Sequence, residues 1–145
     1  MVSLRTLFLL GTATLLGSCT KGNEPVPAPV YLLDQRWVLT ELQGQAPVAQ
    51  PGSAIPDLLL NSVGNTNSGR AFCNQYGGKY TLAPGSPQLN FATQGSTYAT
   101  CADQDAETRY LRLLPTVARY VISNRHLSLY DAQHAEPLLV FKAAE

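Results

Sequence analysis

From Arg36 onward the chain is written in short runs of alternating apolar and polar positions, interrupted once by helical spacing. In Arg36–Leu42, Trp37 and Leu39 alternate with polar neighbours and Leu42 rejoins the pattern after a slip of one position, which predicts a strand. Pro47, Pro51, Gly52 and Pro56 then mark a loop too rich in proline for a helix. Leu58–Leu60 reads as a short apolar strand, and residues 61–69 are dense in Asn, Ser and Gly, which predicts a hairpin connection. Strands over Arg70–Asn74 and Lys79–Leu82 flank Tyr76-Gly77-Gly78, where two glycines permit a bulge or tight bend. Pro84-Gly85-Ser86-Pro87 turns the chain, and Leu89 and Phe91 alternate in the next strand.

The exception begins at Asp103. It is a plausible N-cap, and Asp103, Asp105 and Glu107 set negative charge at the positive end of a helix dipole. Tyr110, Leu111, Leu114, Val117 and Ala118 share one helical face, Arg109 and Arg112 lie off it, and Pro115 predicts an end near Leu114. Strands over Tyr120–Ser123, His126–Tyr130 and Leu138–Phe141 close the chain, joined by Ser123-Asn124-Arg125 and by residues 131–136. Many short strands with one helix predict an α+β fold that is mainly β. The expected form is a small curved antiparallel sheet or partial barrel packed against that helix.

The amino-terminal segment follows different rules. A single basic residue, Arg5, precedes the apolar run Leu7–Leu16, which is too short to span a membrane and ends in small residues. Leu16-Gly17-Ser18-Cys19 resembles a bacterial lipobox. That resemblance implies cleavage before Cys19, a diacylglyceryl group on its sulfur and acylation of the new amino terminus. Residues 1–18 are then a lipoprotein signal peptide, 19–33 a lipidated, proline-rich tether and 34–145 the domain. Prolines 25, 27 and 29 favour an extended tether rising about 3.1 Å per residue. Thr20 is not the aspartate that commonly retains lipoproteins at the inner membrane, so an outer-membrane location in the cell envelope is favoured.

Charge excludes some partners. Ten basic and ten acidic residues are scattered without runs, and loss of Arg5 leaves nine against ten. Nucleic acid is not an expected partner, and membrane attachment falls to the lipid on Cys19. With Cys19 assigned to lipid, Cys73 and Cys101 form a pair facing an oxidising compartment, where a structural disulfide is expected. The alternatives are a redox pair or a zinc site, and neither has Cys-x-x-Cys spacing or a nearby histidine to support it.

Chemistry-bearing motifs are sparse. His126 falls in a strand and His134 in a loop, without a recognisable serine or cysteine partner motif. Asp131-x-x-His134-x-Glu136 offers three potential metal ligands, an arrangement that short polar loops often assemble by chance. Gly77-Gly78 lacks the flanking pattern of a phosphate loop. The expectation is a protein that is not an enzyme and that needs no cofactor or metal.

Six separated segments then fall into a recognisable order. Trp37-x-Leu39 opens the domain, followed by Cys73-Asn74-Gln75-Tyr76-x-Gly78-x-Tyr80 and by Thr97-Tyr98-Ala99-Thr100-Cys101. Glu107 with Tyr110-Leu111 and Leu114 comes next, before Leu127-x-Leu129-Tyr130 and Leu139-Val140-Phe141. The set resembles the META domain, or HslJ-like, family from about Arg36 to Lys142. Phe72-Cys73-Asn74 stands where the family usually has Gly-Cys-Asn, and Ala99-Thr100-Cys101 where it has Met-Ala-Cys. The resemblance implies a strongly curved antiparallel sheet on a helix, frequent in envelope lipoproteins, with relatives associated with stress and antibiotic tolerance. It implies no settled activity and no catalytic residues. Trp37, Asn74, Gly78, Tyr80, Thr97 and Glu107 are therefore read as fold determinants. In that reading Cys73–Cys101 ties a strand to the segment entering the helix, Asn74 and Thr97 satisfy backbone groups, and Gly78 permits close approach.

The resulting functional expectation is a non-catalytic, lipid-anchored envelope protein acting as an interaction or stress-tolerance module, with another envelope protein as a possible partner. The alternative is a carrier or sensor of a small apolar ligand held in the concave face of the sheet. A closed cavity lined by Leu, Val and Phe would favour the carrier; a filled core with an exposed tyrosine edge would favour the interaction module. The chain's seven tyrosines suit cores and interfaces equally.

Overall fold

A computed structural model describes residues 30–145. The signal segment, Cys19 and the tether prolines lie outside the described residues.

Strand β1 (Arg36–Leu42) sits mid-sheet, between β2 (Asp57–Asn61) and β9 (Leu139–Ala143). Its slip is a β-bulge: Leu39 faces Phe141 and Glu41 faces Val140, so Thr40 is the extra residue. The bulge reconciles a three-residue spacing with a two-residue pleat and returns Leu42 to the buried face beside Trp37 and Leu39. Packing also reaches further back than residue 34. Leu32 is buried, Val30 and Leu33 pack against the core, and Trp37 Nε1 donates to the Leu32 carbonyl at 3.0 Å.

Next come β3 (Thr66–Arg70) and β4 (Gln75–Leu82), and here three expectations are corrected. The connection after β2 covers only residues 62–65, with Gly64 and Asn65 at positive φ, and the polar stretch Thr66–Arg70 is a strand. Pairing with β2 on one side and β4 on the other overrides its low strand propensity. Residues 71–74 form a tight connection rather than a strand, closed by the Ala71 N–H donating to the Asn74 carbonyl at 2.7 Å. Gly77 and Gly78 lie within continuous β4 and make no bend.

One half of β4 pairs with β5 (Leu89–Phe91) and the other with β6 (Gly95–Ser96), which is too short to leave an alternation in the sequence. Helix α1 (Gln104–Leu113) runs into a 3-10 turn over Leu114–Thr116 that contains Pro115. Asp103 does precede the helix, but its side chain does not cap it; Oδ2 accepts the Gln50 N–H at 2.8 Å instead. Strands β7 (Arg119–Ser123) and β8 (His126–Tyr130) are joined through Asn124 and Arg125, both at positive φ, the two-residue hairpin geometry that matches strand twist.

Every pairing is antiparallel, in the order β5-β4-β3-β2-β1-β9-β8-β7. The ends of that order meet: Gln88 bridges Arg119, Leu89 N–H donates to Ala118 O, and Tyr120 N–H donates to Pro87 O. The sheet is thus a nearly closed barrel. Trp37, Phe72, Tyr110, Phe141 and a group of leucines, among them Leu58, Leu60, Leu89 and Leu114, fill the interior almost free of solvent. Each such side chain contributes roughly 1.5–3 kcal/mol by burial. Tyr110 enters from the helix and meets Tyr76 and Phe141 edge-on, with ring centroids 5.6 and 6.4 Å away.

Candidate functional site

Five of the motif residues converge on one point. Cys73 and Cys101 form a disulfide with Cα atoms 5.7 Å apart, tying the 71–74 connection to the segment that enters α1. Beside it Glu107, in the first turn of the helix, is only 2% exposed. Glu107 Oε2 accepts the backbone N–H of Cys73 at 2.6 Å and of Asn74 at 2.8 Å, and Oε1 accepts Asn74 Nδ2 at 2.6 Å. No cation is among these partners; three neutral donors surround the carboxyl group. Asn74 is used at both ends: Nδ2 also donates to Ala99 O at 2.8 Å, while Oδ1 accepts Thr97 Oγ1 at 2.8 Å and Ala99 N at 2.6 Å. Asn74 therefore links the 71–74 connection, the helix and the 97–101 segment in one fully bonded network. Such networks fix a single geometry because each missing partner would leave a buried polar group unsatisfied.

The other motif residues lie elsewhere. Trp37 is in the core, and Tyr80, on the opposite half of β4, donates to Asn61 O at 2.8 Å. At Gly78 an added Cβ would fall 2.6 Å from the Gln94 side chain, which packs across the strand there.

A second buried cluster centres on Asp57, a residue whose role the sequence pattern did not reveal. Its Oδ1 accepts Arg70 N at 2.7 Å and its Oδ2 takes the Arg36 guanidinium, with Nε at 2.8 Å. Its main-chain carbonyl accepts Tyr76 OH at 2.8 Å, and the Tyr76 oxygen in turn meets Tyr110 OH at 2.6 Å. Burial pushes both phenols above their ordinary range. Gly69 completes the cluster, since a Cβ there would fall 2.1 Å from the Asp57 carbonyl oxygen. An acidic residue at the head of the apolar run Leu58–Leu60 was the available signal.

The remaining titratable candidates are held within their own turns. His126 Nδ1 bonds Asn124 O at 2.9 Å. His134 Nδ1 meets Asp131 Oδ2 at 2.6 Å, a contact that draws the Asp131 carboxyl down to about 2. Glu136 does not join them, and among the described residues no three His, Cys, Asp or Glu side chains are grouped to hold a metal ion.

The Glu107 cluster is the floor of a cleft of about 600 Å³. One wall is the 93–100 segment and the other is α1 from Gln104 to Arg112. Tyr98 stands on the first wall, 99% exposed, while its neighbours Thr97 and Ala99 both bond inward to Asn74. The side chains of Thr93, Gln94, Thr100, Gln104 and Thr108 add neutral hydroxyl and amide groups. Among the described residues, Arg112 is the one cation on the lining.

A nearly closed antiparallel barrel, plugged by one helix whose buried carboxyl organises a disulfide-bonded wall, defines the class. The META domain family model matches residues 30–145, and the chain belongs to that family. An NMR structure of a protein from Burkholderia xenovorans is similar at 26% identity and a TM-score of 0.60, covering 83% of this chain and 97% of that one. A second NMR structure, at 20% identity and a TM-score of 0.56, covers 74% of this chain and 87% of its own and shares the fold. No curated protein matches the chain.

Proposed function

We propose that this chain is a non-catalytic, lipid-anchored module of the cell envelope that recognises an envelope component at the cleft beside Tyr98. The observation that carries this reading is a filled interior set against an open cleft whose walls carry hydroxyl and amide side chains and an exposed aromatic. The leucines and aromatics that would line an apolar carrier's cavity are packed against one another. The lipobox-like Leu16-Gly17-Ser18-Cys19 supports the anchor. Glu107, among the described residues the one carboxyl group on the lining, is occupied by three donors that belong to the fold, which supports a structural role over acid-base chemistry.

Two measurements on intact cells test the two halves separately. Labelled palmitate incorporation is expected in the native chain and lost in Cys19→Ser; equal labelling of both rejects the anchor. A photo-crosslinking residue at position 98 is expected to yield an adduct with an envelope component, and one at exposed Val63 is not. Adducts of equal yield at both positions reject the cleft.

A further inference from the structure

We propose that the cleft binds a short neutral or N-acetylated glycan, with Tyr98 as the stacking platform and Gln104 as an acceptor for a sugar hydroxyl. This rests on the reading of the cleft as the recognition surface and names the chemistry of its ligand.

The lining selects against other classes. An apolar chain would need a lining dominated by Leu, Val and Phe, yet the walls carry threonine hydroxyls and glutamine amides. A phosphate or polyanion would need converging cations, and Arg112 stands alone in a chain whose formal charge is zero. Groups that both donate and accept are matched by a ligand that does the same at many positions, which is the chemistry of sugar hydroxyls and acetamides.

One orphaned acceptor sharpens the match. Gln104 lines the cleft's helical wall, and its Oε1 has no hydrogen-bond partner. Buried polar atoms are nearly always bonded, so this acceptor points to a donor supplied by a ligand, and a sugar hydroxyl supplies one.

Tyr98 supplies the other half of sugar recognition. A sugar ring presents an apolar face of slightly positive C–H groups, and an aromatic face carries negative quadrupole density. Because Thr97 and Ala99 are both held by Asn74 Oδ1, the backbone under Tyr98 is fixed while its ring is free of packing. The disulfide and the Glu107 bonds hold the wall before ligand arrives, which lowers the entropy cost of binding. The volume lies inside the range of about 300–1,000 Å³ that small-ligand sites occupy, suiting an oligosaccharide better than one sugar ring.

The test is an NMR titration of the isotope-labelled full chain in detergent micelles with chitotriose, cellotriose and maltotriose. At least one is expected to bind saturably in the micromolar to millimolar range, shifting signals of residues 93–100 and of the first turns of α1. Tyr98→Ala is expected to weaken that binding at least tenfold and Gln104→Leu about fivefold. Since the Tyr98 ring makes no core contact, the melting temperature of Tyr98→Ala stays that of the native chain. No saturable shift with any of the three sugars overturns the proposal, as does binding that Tyr98→Ala leaves intact. If sugars fail while crosslinking from position 98 still captures a protein, the cleft is a protein site and the glycan assignment alone is wrong. If both fail, the cleft is not a recognition surface.

Discussion

The Glu107 and Asp57 clusters each bury a carboxyl group, and they satisfy it in opposite ways. Asp57 is met by the Arg36 guanidinium at the sheet surface, and its main-chain carbonyl anchors the two phenols that stand in the barrel. Glu107 has no cation; two backbone amides and one side-chain amide share its oxygens. The Asp57 cluster faces inward and holds strands to helix through the core. The Glu107 cluster faces outward and holds a stretch of irregular chain, 97–101, in one conformation against solvent. A fold needs the first kind of cluster. The second is what a surface needs to keep its shape before a ligand arrives.

That contrast can be broken most severely at Glu107. Glu107→Ala strands three buried donors and is expected to cost about 3–5 kcal/mol, read from urea midpoints, with Glu107→Gln retaining part of the loss. A cost under about 1 kcal/mol would mean that the cluster is ornamental. Reducing Cys73–Cys101, which lie 28 positions apart, is expected to remove about 3–4 kcal/mol. Amide exchange should quicken first in residues 97–101, whereas uniform quickening would show that the bond serves the whole barrel.

Gly69→Ala tests the inner cluster, because the new methyl meets backbone that cannot step aside; about 1–3 kcal/mol is expected. At Gly78→Ala the nearest atoms to the new methyl belong to the flexible Gln94 side chain, so it should cost less than Gly69→Ala, the reverse of what motif membership alone suggests. The smallest effect belongs to the phenols. Tyr76→Phe and Tyr110→Phe are each expected to cost about 1 kcal/mol, with a double-mutant cycle showing coupling. Both phenols ionise later in the folded chain than in the unfolded one. Their contribution is therefore complete below about pH 10 and is lost as pH rises beyond it, since the unfolded chain releases its protons first. Alkaline melts of the two variants should be flatter than the native curve above that point.

Much of the outer cluster was legible because its parts are distinctive residue types in a fixed order: Cys73, Asn74, Thr97, Cys101 and Glu107. The burial of Glu107 was legible too, though easily passed over. It precedes Tyr110 by three positions and Leu114 by seven, so it lies on the core face, where charge near a helix start is ordinarily taken for a dipole effect. Asp57 was hidden for a different reason: half of its role is played by a carbonyl, which side-chain patterns do not report. Gly69 was read as a turn residue, because a glycine in a polar stretch looks alike whether the backbone turns there or a neighbouring strand leaves no room. The hydrophobic period was enough for β1, β5, β8 and the helix. It was silent on Thr66–Arg70, where pairing from both sides makes a strand of polar residues.

The seam between Pro87–Leu89 and Ala118–Tyr120 has a further consequence. A sheet with bare edges invites a second copy to add a strand, and the danger grows where molecules are crowded together. Here the ends of the strand order hydrogen-bond each other, with Pro87 inside the join and Pro84 just before it. Many copies on one surface would then resist edge-to-edge aggregation, a form of solubility set by topology rather than by charge.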